Sequence, residues 1–244
     1  MSTHRRLAMQ ASALGAAPSP LPTAAQGSSS SGAEQGDVVT IAGFASLMDE
    51  ASARETTPSI TNWRYGWAEG WCRVFNLVSI LNIRRGFATG ERLVTCTARP
   101  RPASRLRVCL YDVPAAEYPE LLARERRLRE ATTRFTTDDG GEGEAVIFAE
   151  YSDEEYRRER ANTAELWHEE VGQWYDGEKI YRDDLLPVPR YLERCLAAFH
   201  ALGPCDLANF LDESFLGDGV TSIREYIAQG GAELPAPSGS SSNG

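Results

Sequence analysis

VVTIAGFASLMDEASARETTPS, residues 38–59, opens as a buried strand and stops on residues that do not turn a chain. The run from Val38 to Phe44 is apolar and carries β-branched residues, the pattern of a strand covered on both faces. Reversals are made by Gly, Pro, Asn or Asp, each for its own backbone reason. Here the strand ends on Ala45, Ser46, Leu47 and Met48 instead. Small residues at such a point let another molecule approach the main chain closely.

Working outward, further apolar runs predict strands at residues 71–80, 92–98, 105–113 and 145–151. Helical spacing appears at 115–131, with Tyr118, Leu121, Leu122 and Leu128 on one face. It recurs in the charged stretch 153–175. It appears again at 187–203, which starts on prolines and stops on Gly203. Short helices are predicted at 205–216 and 222–231. Strands first and helices last give an α+β domain around a closed or strongly bent mixed sheet, a small barrel with flanking helices.

The domain is expected over residues 37–230. Residues 1–36 and 231–244 are rich in Ala, Ser, Gly and Pro and read as disordered tails. Arg5 and Arg6, with no acid before Glu34, also fit an organelle transit peptide. The expected location is therefore the cytoplasm, or a plastid or mitochondrion if that reading holds.

A formal charge of −10 argues against a nucleic-acid or anionic-membrane surface. No apolar run has the roughly 20 residues of a membrane helix. The five cysteines include no C-x-x-C pair, so neither a zinc site nor a disulfide scaffold is indicated. A reducing compartment fits them best.

His168 lies in WHEEVG, where a metalloprotease would need a second histidine at position 172; that residue is Gly172. His200 falls in an apolar helix and reads as a core or edge histidine. A Ser-His or Cys-His dyad stays open to them but has no supporting motif. The GDG at 217–219 reads as a tight turn and not as a phosphate loop, so no nucleotide cofactor is expected. Carboxylates remain. Glu120, Glu125 and Glu130 lie in ELLARERRLRE, and charge runs of this kind are usually solvated helix faces. Glu125 differs, being four residues after Leu121 and three before Leu128, hence near the apolar face. Desolvation there would raise its pKa toward neutrality, as a general base requires.

Four segments together resemble the γ-glutamylcyclotransferase superfamily: GFASLMDEASARETTPS, AEGWCRVFN, LYDVPAAEYPELLARERRL and NFLDESFLGDGVTSIREY. Their order and spacing are similar to its members over most of residues 38–228. The resemblance implies that Phe44, Ala45, Ser46 and Leu47 form the substrate-binding turn, with Phe for the family's Tyr and Ala for its Gly. It implies that Gly70-Trp71-Cys72-Arg73-Val74-Phe75 matches a second sheet motif, and that Glu125, after Arg124, is the catalytic acid/base. Arg73 reads either as a partner for a substrate carboxylate or as a structural arginine at a strand end. If the position of Ala45 needs positive φ, the residue is strained there; if it needs only close approach, the methyl narrows the pocket.

The implied substrate is a small γ-glutamyl compound, such as glutathione or a γ-glutamyl amino acid or amine, and the implied product is 5-oxoproline. No metal or organic cofactor is implied. The alternatives are a catalytically impaired binding or regulatory module, and a related enzyme acting on another γ-glutamyl or small acyl substrate. The oligomeric state is left open.

Overall fold

A computed structural model of the chain describes residues 37–234. Of the expected tails at 1–36 and 231–244, residues 1–36 and 235–244 lie outside the described residues. Five strands close on themselves: β1 (Val38–Gly43), β2 (Thr61–Val78), β3 (Arg92–Pro114), β4 (Arg129–Thr137) and β5 (Glu142–Ala149). Around the barrel the order is β3-β1-β5-β4-β2, and β2 pairs back onto β3. All of these neighbours are antiparallel except β1 and β5, so the barrel is mixed. Two short strands, β6 (Leu186–Pro187) and β7 (Ser214–Leu216), add in parallel at its edges. The fold class is the α+β closed barrel expected from the sequence.

The helices are α1 (Glu50–Arg54), α2 (Ile80–Arg84), α3 (Tyr118–Arg124), α4 (Asp153–Glu159), α5 (Ala164–Trp167), α6 (Pro189–Leu202), α7 (Pro204–Asp212) and α8 (Ile223–Ala228). Among the described residues none is long and apolar enough to cross a membrane.

Three expected elements are corrected. The helix predicted over 115–131 ends at Arg124, and residues 129–137 are a strand. The stretch REATTRFTT carries four threonines, whose β-branched side chains suit a pleated surface. Its pairing along β5 outweighs the helical spacing that Leu128 continues. The helix predicted at 205–216 stops at Asp212, and Ser214–Leu216 joins β2 as an edge strand. The charged stretch 153–175 is broken into α4, α5 and a π-turn over His168–Gly172.

One irregularity in β2 decides what the barrel contains. Gly66 and Ala68 point inward, and simple alternation would next bury Gly70, Cys72 and Val74 on that face. The β2–β3 register instead shifts between Glu69 and Trp71, at Gly70, whose φ is +80°. This extra residue is a bulge of the kind that glycine accommodates without strain. It resets the phase, so Trp71, Arg73 and Phe75 turn to the main core while Cys72 and Val74 pack under Phe215 on the other face.

Candidate active site

After Gly43 the chain enters a short 3-10 turn, Ser46–Met48, and then α1. Gly43 is where close approach is required: a Cβ there would lie 2.6 Å from Cys109 Sγ and 2.9 Å from Leu47 Cβ. Ala45 has φ −138°, so no left-handed backbone is imposed on it. Of the two readings left open for Ala45, the one that needs positive φ is removed. Its methyl is nearly fully buried and lines the recess beneath the turn.

The carbonyls of this turn are held from inside. Arg73 Nε donates to Phe44 O, and the Cys109 thiol donates to Leu47 O at 3.1 Å and to Gly43 O at 3.5 Å. Because the peptide is planar and trans, fixing Phe44 O toward Arg73 sends the Ala45 N–H the opposite way. The N–H groups of Ser46 and Leu47 open the 3-10 turn and have no acceptor among the described residues.

Arg73 lies buried beneath the turn with its donors turned to protein acceptors, the arrangement of a structural arginine. It has no exposed surface, and its other donors serve Arg107 O and Asn209 Oδ1. Its guanidinium lies 4.6 Å from the Phe199 ring centroid and 5.5 Å from that of Phe210. Burial lowers its pKa to about 10, so it remains a cation at neutral pH.

Glu125 sits at the C-terminal cap of α3, not inside a helix. Its N–H donates to Leu121 O at 2.9 Å, and its carbonyl accepts from Leu128 N–H at 2.7 Å. The chain thus reverses around Glu125 before entering β4. Its side chain is 17% exposed, and its ion-pair partner is Arg124, at 3.2 Å between Nε and Oε1. Arg124 is itself tied to the segment after the turn, donating to Thr56 Oγ1 at 2.7 Å and Ser52 O at 3.2 Å. Burial raises the Glu125 pKa above the usual carboxylate range, with Arg124 opposing.

Glu125 and the turn meet in one place. Phe44, Ala45, Ser46 and Leu47 line a recess of about 50 Å3 together with Glu125 and Tyr191. Ser46, Glu125, Tyr191, Cys96 and Leu128 also line a larger cleft of about 480 Å3 opening from it. Of the six site residues expected from sequence, five are brought together and Arg73 lies beneath them. Glu120 is exposed; Glu130 is in β4, accepting a hydrogen bond from Tyr118. Neither lines the cleft, and neither do His168 and His200.

Sequence reasoning missed Tyr191 and Cys96. Tyr191 enters from the first turn of α6, and Cys96 from near the start of β3. Burial pushes the Cys96 thiol well above its usual pKa, so it is protonated near neutrality and a poor nucleophile. Burial also raises the Tyr191 phenol. With no histidine in either lining, the recess offers one carboxyl, Glu125, beside a row of backbone donors, and no activated protein nucleophile lies among the described lining residues.

No family profile matches the chain, and no curated protein matches it. Solved structures are similar to it. One is a γ-glutamyl cyclotransferase: TM-score 0.48, 8% identity, covering 85% of this chain and 95% of its own. An uncharacterized human protein gives TM-score 0.47 and 9% identity over 84% of this chain and 94% of its own. A γ-glutamyl cyclotransferase from yeast, specific to glutathione, gives TM-score 0.31 and 13% identity over 82% of this chain and 90% of its own. With TM-scores below 0.5 and identities of 8–13%, these likenesses carry no argument about this chain.

Proposed function

We propose that the protein is a cyclotransferase acting on a γ-glutamyl amide. The observation that carries this reading is the placement of Glu125, mostly buried and with a raised pKa, across a shared recess from the Phe44–Leu47 turn. The reaction needs little else. The substrate's own α-amine is the nucleophile, so the protein must hold it near the γ-carbonyl and manage protons.

On this reading the Glu125 carboxylate takes a proton from the α-ammonium. The freed amine attacks the γ-carbonyl carbon, forming the C–N bond of a five-membered ring. The Ala45, Ser46 and Leu47 N–H groups hold the substrate's oxygen as negative charge develops on it. Glu125 returns its proton to the departing nitrogen. A second proton passes from the ring nitrogen to the departing nitrogen by the same route as the amide bond breaks. The products are 5-oxoproline and a free ammonium compound, and the carboxylate is regenerated. No metal or cofactor takes part in these steps.

Incubating the purified protein with γ-glutamyl amino acids, γ-glutamyl amines and glutathione, and assaying 5-oxoproline, tests the reading. Release from none of them overturns it. The second reading, a binding module of the same fold, is favoured by the small volume directly beneath the turn, about 50 Å3. That reading expects ligand binding without turnover.

A further inference from the structure

Four arginines line the 480 Å3 cleft, Arg85, Arg124, Arg190 and Arg194, against two carboxylates, Glu55 and Glu125. The excess is cationic in a chain whose formal charge is −10. Arg124 is committed to Glu125, Thr56 and Ser52. Arg85, Arg190 and Arg194 are exposed, and no carboxylate pairs with them among the described residues.

Arg190 and Arg194 are placed against the local electrostatics. They stand four residues apart in the first half of α6, on one helix face, where like charges repel. Arg190, in the first turn, is also at the positive end of the helix dipole, where a cation is disfavoured. Arg190 is further ordered by lying 4.2 Å above the Phe87 ring centroid. Tyr191, between them in sequence, lines both the recess and the cleft. An unpaired cationic pair costs the free protein stability, and an anion in the cleft offsets that cost.

We infer that Arg190 and Arg194, with Arg85 across the cleft, bind a carboxylate on the leaving-amine half of the substrate. The enzyme then selects γ-glutamyl amino acids or peptides over γ-glutamyl amines that carry no acid. This inference rests on the proposed function: the recess under Glu125 takes the γ-glutamyl half, and the cleft that opens from it takes the leaving half. Arginine's planar fork suits a carboxylate, which accepts two parallel hydrogen bonds.

The test compares 5-oxoproline release from γ-glutamylalanine and from γ-glutamylalaninamide, which differ only in that carboxylate. The wild type is expected to favour the acid at least about tenfold in kcat/KM, a difference of about 1.4 kcal/mol. In Arg190→Gln/Arg194→Gln the ratio falls toward one, while Tm stays level or rises because a repulsive pair has gone. Arg224→Gln is the control: Arg224 pairs with Asp212 away from the cleft, and its change leaves the ratio as it was. Should the double variant not fold, Arg194→Gln alone is measured.

Equal turnover of acid and amide by the wild type overturns the inference and leaves the proposed function standing. If neither compound is turned over, titration calorimetry with succinate decides the anion site, and the wider substrate panel decides the proposed function separately. Succinate binding lost in the double variant supports the arginine site; absent or unchanged binding overturns it.

Discussion

Arg73 donates through Nε to the carbonyl oxygen of Phe44, 29 positions earlier in the chain. The bond joins a strand interior to the turn that ends another strand, and it fixes which way that turn presents its amides. The guanidinium satisfies Arg107 O as well, so one buried cation locks two strands and the turn together. Its aromatic neighbours, Phe199 and Phe210, replace part of the solvation it has lost.

Arg73→Met is expected to destabilise the protein by about 2–4 kcal/mol, because it leaves Phe44 O and Arg107 O buried without their donor. Arg73→Lys recovers only part of the loss, since a single ammonium cannot reproduce the spread of the guanidinium fork. Urea unfolding midpoints measure both. A midpoint unchanged in Arg73→Met would show that the turn is held by other contacts.

Gly43→Ala tests the other anchor. The new Cβ meets Cys109 Sγ at 2.6 Å and Leu47 Cβ at 2.9 Å, so the turn must move or the core must open. Overpacking of this kind costs about 1–3 kcal/mol. Adding Cys109→Ala removes the nearer obstacle, and the double variant is expected to be more stable than the sum of the two single changes predicts. Strict additivity in a double-mutant cycle would refute a direct contact.

The parts legible in the sequence are those with local signals. The apolar run from Val38 gave the first strand, and Pro189 with Gly203 bracketed α6. The α3 boundary had no such signal. No Gly or Pro follows Arg124, and Leu128 continues the helical spacing, so β4 was hidden until β5 was there to pair with it. Glu125 was rightly placed near the apolar side, although the burial comes from a chain reversal and not from a helix face. The fate of Arg73 depended on the bulge at Gly70, which decides a face that alternation alone would have given to Cys72. The cleft arginines come from α2's end, α3 and α6. No spacing within one segment brings such residues together.

The raised pKa of Glu125 has a consequence for stability. Its neutral form is favoured in the folded state, so folding takes up a proton in the window between the ordinary glutamate pKa, about 4.3, and the raised native value. Stability from this group is therefore full below that window and is lost as pH rises through it. At pH 8 the wild type bears a partly buried carboxylate that Glu125→Gln does not. The variant is expected to melt higher than the wild type at pH 8, with the gain shrinking or vanishing at pH 4. A gain that is larger at pH 4 would reverse the sign and argue that Arg124 dominates the site.

The same substitution tests the chemistry. Glu125→Gln keeps the side chain's shape and its reach toward the turn but cannot accept the α-ammonium proton. Turnover to 5-oxoproline is expected to fall about 100-fold or more, chiefly in kcat, since the carboxylate acts on a proton in flight and not as the main binding contact. KM should change little, because the backbone donors of the Phe44–Leu47 turn are untouched. The pH profile sharpens the point. In the wild type the rate should rise with pH as Glu125 ionises, with its midpoint above the ordinary carboxylate range, and this limb should be absent from the variant's residual activity. Glu120→Gln, on an exposed face of α3, is the control, with wild-type kinetics and a stability change within about 0.5 kcal/mol. A Glu125→Gln protein that turns over at the wild-type rate would leave the buried carboxyl as a structural partner of Arg124, and the proton transfers would have to be assigned elsewhere in the cleft, with Tyr191 the first residue to test.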